Sequence, residues 1–166
     1  MEQTKILESL DDLLVSEIQH LYFTKEQTIA LLPKIVQHIN DRELRKTFIS
    51  LKDISIIQKE RLEKIGLKFN IELEGHLCKS ILGLIDESND AMAMETTPDI
   101  MDAVLLANYQ RIVNFELAGY NTVCNYAYIL GYEEVGNLLH DTLKEKMNDQ
   151  EHLNNLATGK INERAL

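Results

Sequence analysis

The chain has 166 residues and a mass of 19.1 kDa, the length of one generous domain, and its 45% apolar content is enough for a buried core. Lys+Arg 17 against Asp+Glu 27 leave a formal charge of −10, which speaks against a nucleic-acid binder and against docking on an anionic membrane, since both need a basic surface. No apolar run approaches the ~20 residues needed to span a bilayer, and no secretory signal pattern opens the chain. Cys78 and Cys124 fit no metal or redox spacing and read as isolated reduced thiols. The expectation is a cytoplasmic single domain spanning 1–166, with its core at about 6–158.

Seven glycines, two prolines and no tryptophan favour helices over a turn-rich β fold. From Ile6 to about Ile39 apolar residues recur at helical spacing, as Leu7, Leu10, Leu14, Ile18 and Leu21. Pro33 inside this run predicts a kink or break near Leu32. Asn40, three residues before Glu43, looks like the cap of a second helix with Leu44, Phe48, Leu51, Ile54, Leu62 and Ile65 inside and Gly66 as its stop. A short amphipathic helix follows around His76 to Asn89, edged by Cys78, Ile81, Leu82 and Ile85. Thr97-Pro98 is a strong start for a third long helix ending at Gly131. The fourth runs from about Glu133 to Ala157 and ends at Gly159, leaving Lys160 to Leu166 as a frayed tail.

Tight turns at Asn40 and Gly131 make two antiparallel hairpins, and the longer connection between them allows one crossover. The predicted fold is therefore all-α: a ferritin-like four-helix bundle whose long crossover carries a short fifth helix. Such bundles can hold a di-metal centre built from Glu and Glu-x-x-His on facing helices, with carboxylates suited to iron and manganese. Three acids qualify as candidate metal ligands. Glu116 lies in the row Tyr109, Ile112, Tyr120, Val123; Glu17 lies among Leu10, Leu13 and Leu21 and opens a Glu-x-x-His pair with His20; Glu145 shares a face with Asp149 and His152. Each also has a plainer reading, as a carboxylate held at the core edge by a Tyr hydroxyl or a facing Lys. The run Lys144-Glu145-Lys146 reads as a wet helix face. Against a metal centre, the inner stripe of the second helix has no carboxylate or His at its middle. No nucleotide-binding or hydrolase motif is present.

The segment Ser16 to Tyr22 with Ala30 to Lys34, Gln58 to Glu63, Asp102 to Ala107, Glu116 to Tyr120 and the stretch Leu139 to Glu145 together resemble the YciE/YciF-like ferritin-like family. The resemblance covers roughly Leu7 to Ala157. It implies a ferritin-like fold, frequent dimerisation and an association with bacterial stress responses, without a settled activity. The chain departs from the family pattern at Leu51 and Ile54, where a His-x-x-Glu pair is usual, at Val113-Asn114, at Asn148, and at Lys25-Glu26, where the acid usual after the first-helix Tyr is displaced. Glu17, Glu116 and Glu145 are the remnant of the acidic set. The expectation is thus a non-enzymatic, stress-associated structural or interaction module with a degenerate, metal-free site and no cofactor. It is expected to form a homodimer through the Met92/Met94 region or a face of the first hairpin, and to meet an unidentified protein partner. The alternative is an iron- or manganese-binding oxidase or ferroxidase using Glu17, His20, Glu116, Glu145 and His152.

Overall fold

The computed structural model describes residues 7–166, so the expected helical start at Ile6 lies outside the described residues. Five helices follow in order: α1 Leu10–His38, α2 Arg42–Phe69, α3 Lys79–Met92, α4 Pro98–Ile129 and α5 Glu133–Leu156. Ser9 opens α1 with a capping box closed by Asp12. Pro33 does not interrupt α1, contrary to the expected break. It removes one N–H bond near the helix end, while the fully packed Leu32 and Ile35 on either side hold the last turn in place.

Asp41, not Asn40, caps α2, accepting from the backbone N–H groups of Glu43 and Leu44 at 2.9 Å each. The N–H groups of Asn40 and Asp41 are themselves held by the two oxygens of Asp102 on α4. Gly66 is not the stop either. The helix runs on to a left-handed Asn70 with φ 51°. A Cβ on Gly66 would lie 2.7 Å from Leu73 Cδ1, so its role is to let the crossover segment pack closely on α2. Thr97 and Pro98 start α4 as expected.

The chain end also differs from expectation. Beyond α5 the backbone continues through a π-helical turn, Ala157–Ile161, and a last helical turn, Asn162–Arg164. Ile161 is buried, and Lys160 Nζ and Arg164 Nη1 both reach Asp41 Oδ2 at 2.8 Å. That anchorage keeps the tail from fraying.

Cross-helix pairs fix the topology. Lys25 meets Gln58, and Gln19 meets the backbone of Glu72, so α1 and α2 are antiparallel. Gln110 meets Asn154 and Tyr128 meets Asn137, so α4 and α5 are antiparallel. Thr47 meets His152 and Lys68 meets Glu134, which sets α2 antiparallel to α5. Residues 70–97, carrying α3, return the chain along the bundle from the end of α2 to the start of α4. This is the ferritin-like bundle with one long crossover. Its core has two apolar clusters. One is built around Leu32, Phe48, Leu105, Tyr109 and Leu153, the other around Ile18, Leu62, Tyr120, Val123 and Leu139. A polar layer lies between them.

Candidate functional site: a buried charge cluster at mid-bundle

Lys25, Gln58, Glu116 and Lys146 converge in that layer, one from each long helix, and all four are fully buried. Each lies in a buried inner row that is apolar toward its ends and carries small polar or acidic neighbours near the middle, such as Ile18, Tyr22, Lys25, Thr28, Leu32 on α1 and Leu139, Thr142, Lys146, Asp149, Leu153 on α5. Helical spacing therefore drives these polar ends into the middle. Glu116 Oε1 is 2.6 Å from Lys25 Nζ and Glu116 Oε2 is 3.0 Å from Lys146 Nζ. Lys25 also donates to Gln58 Oε1 at 2.5 Å, and Lys146 reaches Asp149 Oδ2 at 3.3 Å. The Lys25 ammonium lies 5.7 Å from the centre of the Tyr120 ring. Around the cluster Ser55 Oγ and the hydroxyls of Tyr109 and Tyr120 are buried without a hydrogen bond of ordinary geometry among the described residues.

The protonation states follow from these distances. Burial alone would raise the Glu116 carboxyl, but Lys146 and Lys25 outweigh it and hold it below the usual carboxylate value. Lys146 loses to burial as well, yet the carboxylates of Glu116 and Asp149 hold its ammonium well above the ordinary lysine value. Lys25 has only a share of Glu116 and is repelled by Lys146, so burial brings it down to about 7. Burial pushes Asp149 up. Asp149 is the outward member of the cluster. It lines a surface groove of 390 Å³ between α2 and α5, together with Thr47, Ser50, Ile54 and His152.

Of the three acids singled out in the sequence, Glu116 is at the centre, paired with lysines as its plainer reading supposed. Glu145 is nearby but turned outward, in a two-pronged pair with Arg61 at 2.7 Å for both contacts, and it accepts from Gln58 Nε2 at 3.0 Å. Arg61 and the amide hold the Glu145 carboxyl down against burial. Glu17 does not join them. It is a third exposed, 3.8 Å from His20, and lines a 550 Å³ surface pocket with Cys78, Phe115 and Gly119. His152 is exposed beside Thr47. On α2 Leu51 is buried and Ile54 half-buried, and the α2 side of the cluster presents Ser55 and Gln58 with no carboxylate or His. No group of three or more His, Cys, Asp or Glu side chains is arranged to hold a metal ion among the described residues. Lys146, read as part of a wet face, is instead wholly buried. The sequence marks Lys25 only as a departure from the family pattern, and the burial of Lys25 and Lys146 against Glu116 is not foreseen there.

The family model described as Domain of unknown function (DUF892) matches residues 9–166. The chain belongs to this family. It is 25% identical to Protein YciF of Escherichia coli strain K12 over 160 residues, 96% of each chain. The crystal structure of the E. coli stress protein YciF superposes with a TM-score of 0.89 at 25% identity, covering 94% of this chain and 99% of that one. YcfI of Rhodopseudomonas palustris, whose description is "a putative structural protein", gives a TM-score of 0.87 at 26% identity, with 92% and 97% of the chains covered. No described helix is long and apolar enough to cross a membrane.

Proposed function

We propose that this DUF892 member is a metal-free, non-enzymatic helical bundle of the bacterial cytoplasm that acts as a structural or interaction module, as a homodimer and in a stress setting like that named for YciF. One observation carries the reading: the carboxylate at mid-bundle, Glu116, has each oxygen against a buried ammonium group. A metal pair needs anionic oxygens with free lone pairs and a net negative pocket. Here two lysine nitrogens already stand against the Glu116 and Asp149 carboxyls, Lys146 as a firmly held ammonium group and Lys25 as one that burial brings down to about 7. Glu145 is claimed by Arg61, and Glu17 is remote from the cluster. These residues do not fit an iron or manganese pair, and no redox step is assigned to them. The description of YcfI as "a putative structural protein" is in keeping with this reading.

The test is metal analysis by mass spectrometry on untagged protein expressed with added iron and manganese. Below about 0.1 metal per chain is the expected result; about two equivalents, the number a di-metal bundle holds, would overturn the reading in favour of the oxidase alternative. Light scattering on a sizing column is expected to return about twice the chain mass of 19.1 kDa. A monomer would remove the homodimer from the proposal.

A further inference from the structure

The groove beside His152 and the pocket beside Glu17 offer no buried unpartnered group aimed at a ligand, whereas the charge cluster offers a specific geometry. Glu116 binds two cationic centres, one per oxygen, as a bridging carboxylate binds two metal ions. Each ammonium nitrogen collects oxygens from two residues. Lys25 Nζ has Glu116 Oε1 from α4 and Gln58 Oε1 from α2; Lys146 Nζ has Glu116 Oε2 from α4 and Asp149 Oδ2 from α5. Hard cations are held by oxygens of this kind, contributed by separate helices.

We infer that Lys25 and Lys146 occupy the two cation positions of a carboxylate-bridged centre, so that this core excludes metal by filling those positions with its own ammonium groups and not by the lack of a carboxylate or His on α2. The inference rests on the metal-free reading above and adds the reason for it. If that lack on α2 were the reason, replacing the lysines would leave the core unable to bind metal. If occupancy is the reason, carboxylates in place of the lysines create a divalent-cation site with α2 unchanged.

The variant K25E/K146E places four acidic groups, at positions 25, 116, 146 and 149, around the space of two ammonium groups. Four negative charges are neutralised by two divalent cations. The variant and the unaltered protein are compared with and without manganese(II) chloride, reading metal per chain after gel filtration, helicity by circular dichroism, and thermal midpoint. The variant is expected to hold about two manganese ions. With two sites each filled at manganese a hundredfold above the dissociation constant, its midpoint should rise by about 10–20 °C. The unaltered protein should change in neither. A helical variant that takes up no manganese overturns the inference, and so does one that manganese fails to fold, because neutralisation by two cations is what the geometry requires. K25M/K146M empties the two positions without adding ligands: with only Glu116 and Asp149 left it is expected to hold less manganese than K25E/K146E, and uptake equal to that of K25E/K146E would support the inference more directly still, since removal of the ammonium groups alone would have opened the site. Metal in the unaltered protein refutes the metal-free reading itself, a different result from any of these.

Discussion

Lys146→Met is the sharpest perturbation of the buried cluster. Methionine keeps the length of the stem, so repacking costs under about 1.5 kcal/mol, and what is removed is the ammonium group. That group lies 3.0 Å from Glu116 Oε2 and 3.3 Å from Asp149 Oδ2, with Lys146 and Glu116 wholly shielded from water. Removing it leaves Glu116 with Lys25 alone in a pocket without solvent, and leaves Asp149 at the groove without its ammonium partner. Breaking a buried ion pair from one side typically costs about 3–5 kcal/mol, because the surviving charge has nowhere to go. For a chain of this length that corresponds to a fall of roughly 6–20 °C in the thermal midpoint. Urea unfolding at neutral pH, followed by far-ultraviolet circular dichroism, measures the loss as a lower midpoint concentration at unchanged slope. The companion variant K25M/E116M/K146M removes both lysines with Glu116 and leaves Asp149 alone, an acid that opens on the surface groove and that burial already pushes toward its neutral form. It is expected to unfold within about 1–2 kcal/mol of the unaltered protein, or to be more stable, since apolar groups of similar volume replace buried pairs without penalty. A loss below about 1 kcal/mol in the single variant, or an equal loss in single and triple variants, would refute the assignment of this cluster as a desolvated, mutually dependent set.

Acid should act on the same cluster. The Glu116 carboxyl is held below its usual value in the fold, so its contribution is complete above about pH 4.5 and is lost as pH falls through its lower folded value. Asp149, pushed up by burial, has the opposite slope and gains stability on protonation. Urea titrations between about pH 3 and pH 6 should show the unaltered protein losing stability on acidification and the triple methionine variant losing the Glu116 share of it; parallel curves would place the acid sensitivity elsewhere. Glu17→Ala should leave the unfolding free energy within about 0.5 kcal/mol, whereas Glu116→Ala should cost several; a large Glu17 effect in the urea assay would mean that this residue does not sit at the surface. Asp41→Ala should cost about 1–3 kcal/mol, from loss of the α2 cap and of the contacts to Lys160 and Arg164. Hydrogen exchange should then quicken from Ala157 to Arg164, and unchanged protection there would show that the chain end does not depend on Asp41.

The fold was legible because its signals are local and periodic. Thr97-Pro98 marks a helix start by hydrogen bonding within four residues, and the long interval between the second and third long helices admits one crossover and little else. The misplaced ends have tertiary causes. Asn40 loses the cap to Asp41 because Asp102, from another helix, takes the N–H groups of both. The tail stays helical because Lys160 and Arg164 meet a carboxylate more than a hundred residues earlier in the chain. Glu116 was legible as a carboxylate in an apolar row. Lys25 and Lys146 lie in rows that mix apolar residues with Thr28, Thr142 and Asp149, and a lysine in such a row usually carries its charge out to water along a flexible stem. Position in the row does not say which way the stem turns. That depends on helix rotation and on a carboxylate waiting inside, and neither is encoded at short range.

The position of the charges along the bundle has a structural consequence that apolar packing would not provide. Lys25, Gln58, Glu116 and Lys146 stand at one height on four helices, between two apolar clusters. Sliding any one of these helices by a turn moves its polar group by about 5.4 Å, into a cluster of leucine, isoleucine and valine side chains. The apolar rows would re-form with little loss after such a slip, because leucine and isoleucine exchange places at small cost. A charged group would not. Its displacement separates it from its partners and buries it unpaired, at several kcal/mol for each charge. The layer therefore sets the axial alignment of α1, α2, α4 and α5. An ion cluster can do this even if its net contribution to stability is close to that of the methionine core with which it is to be compared.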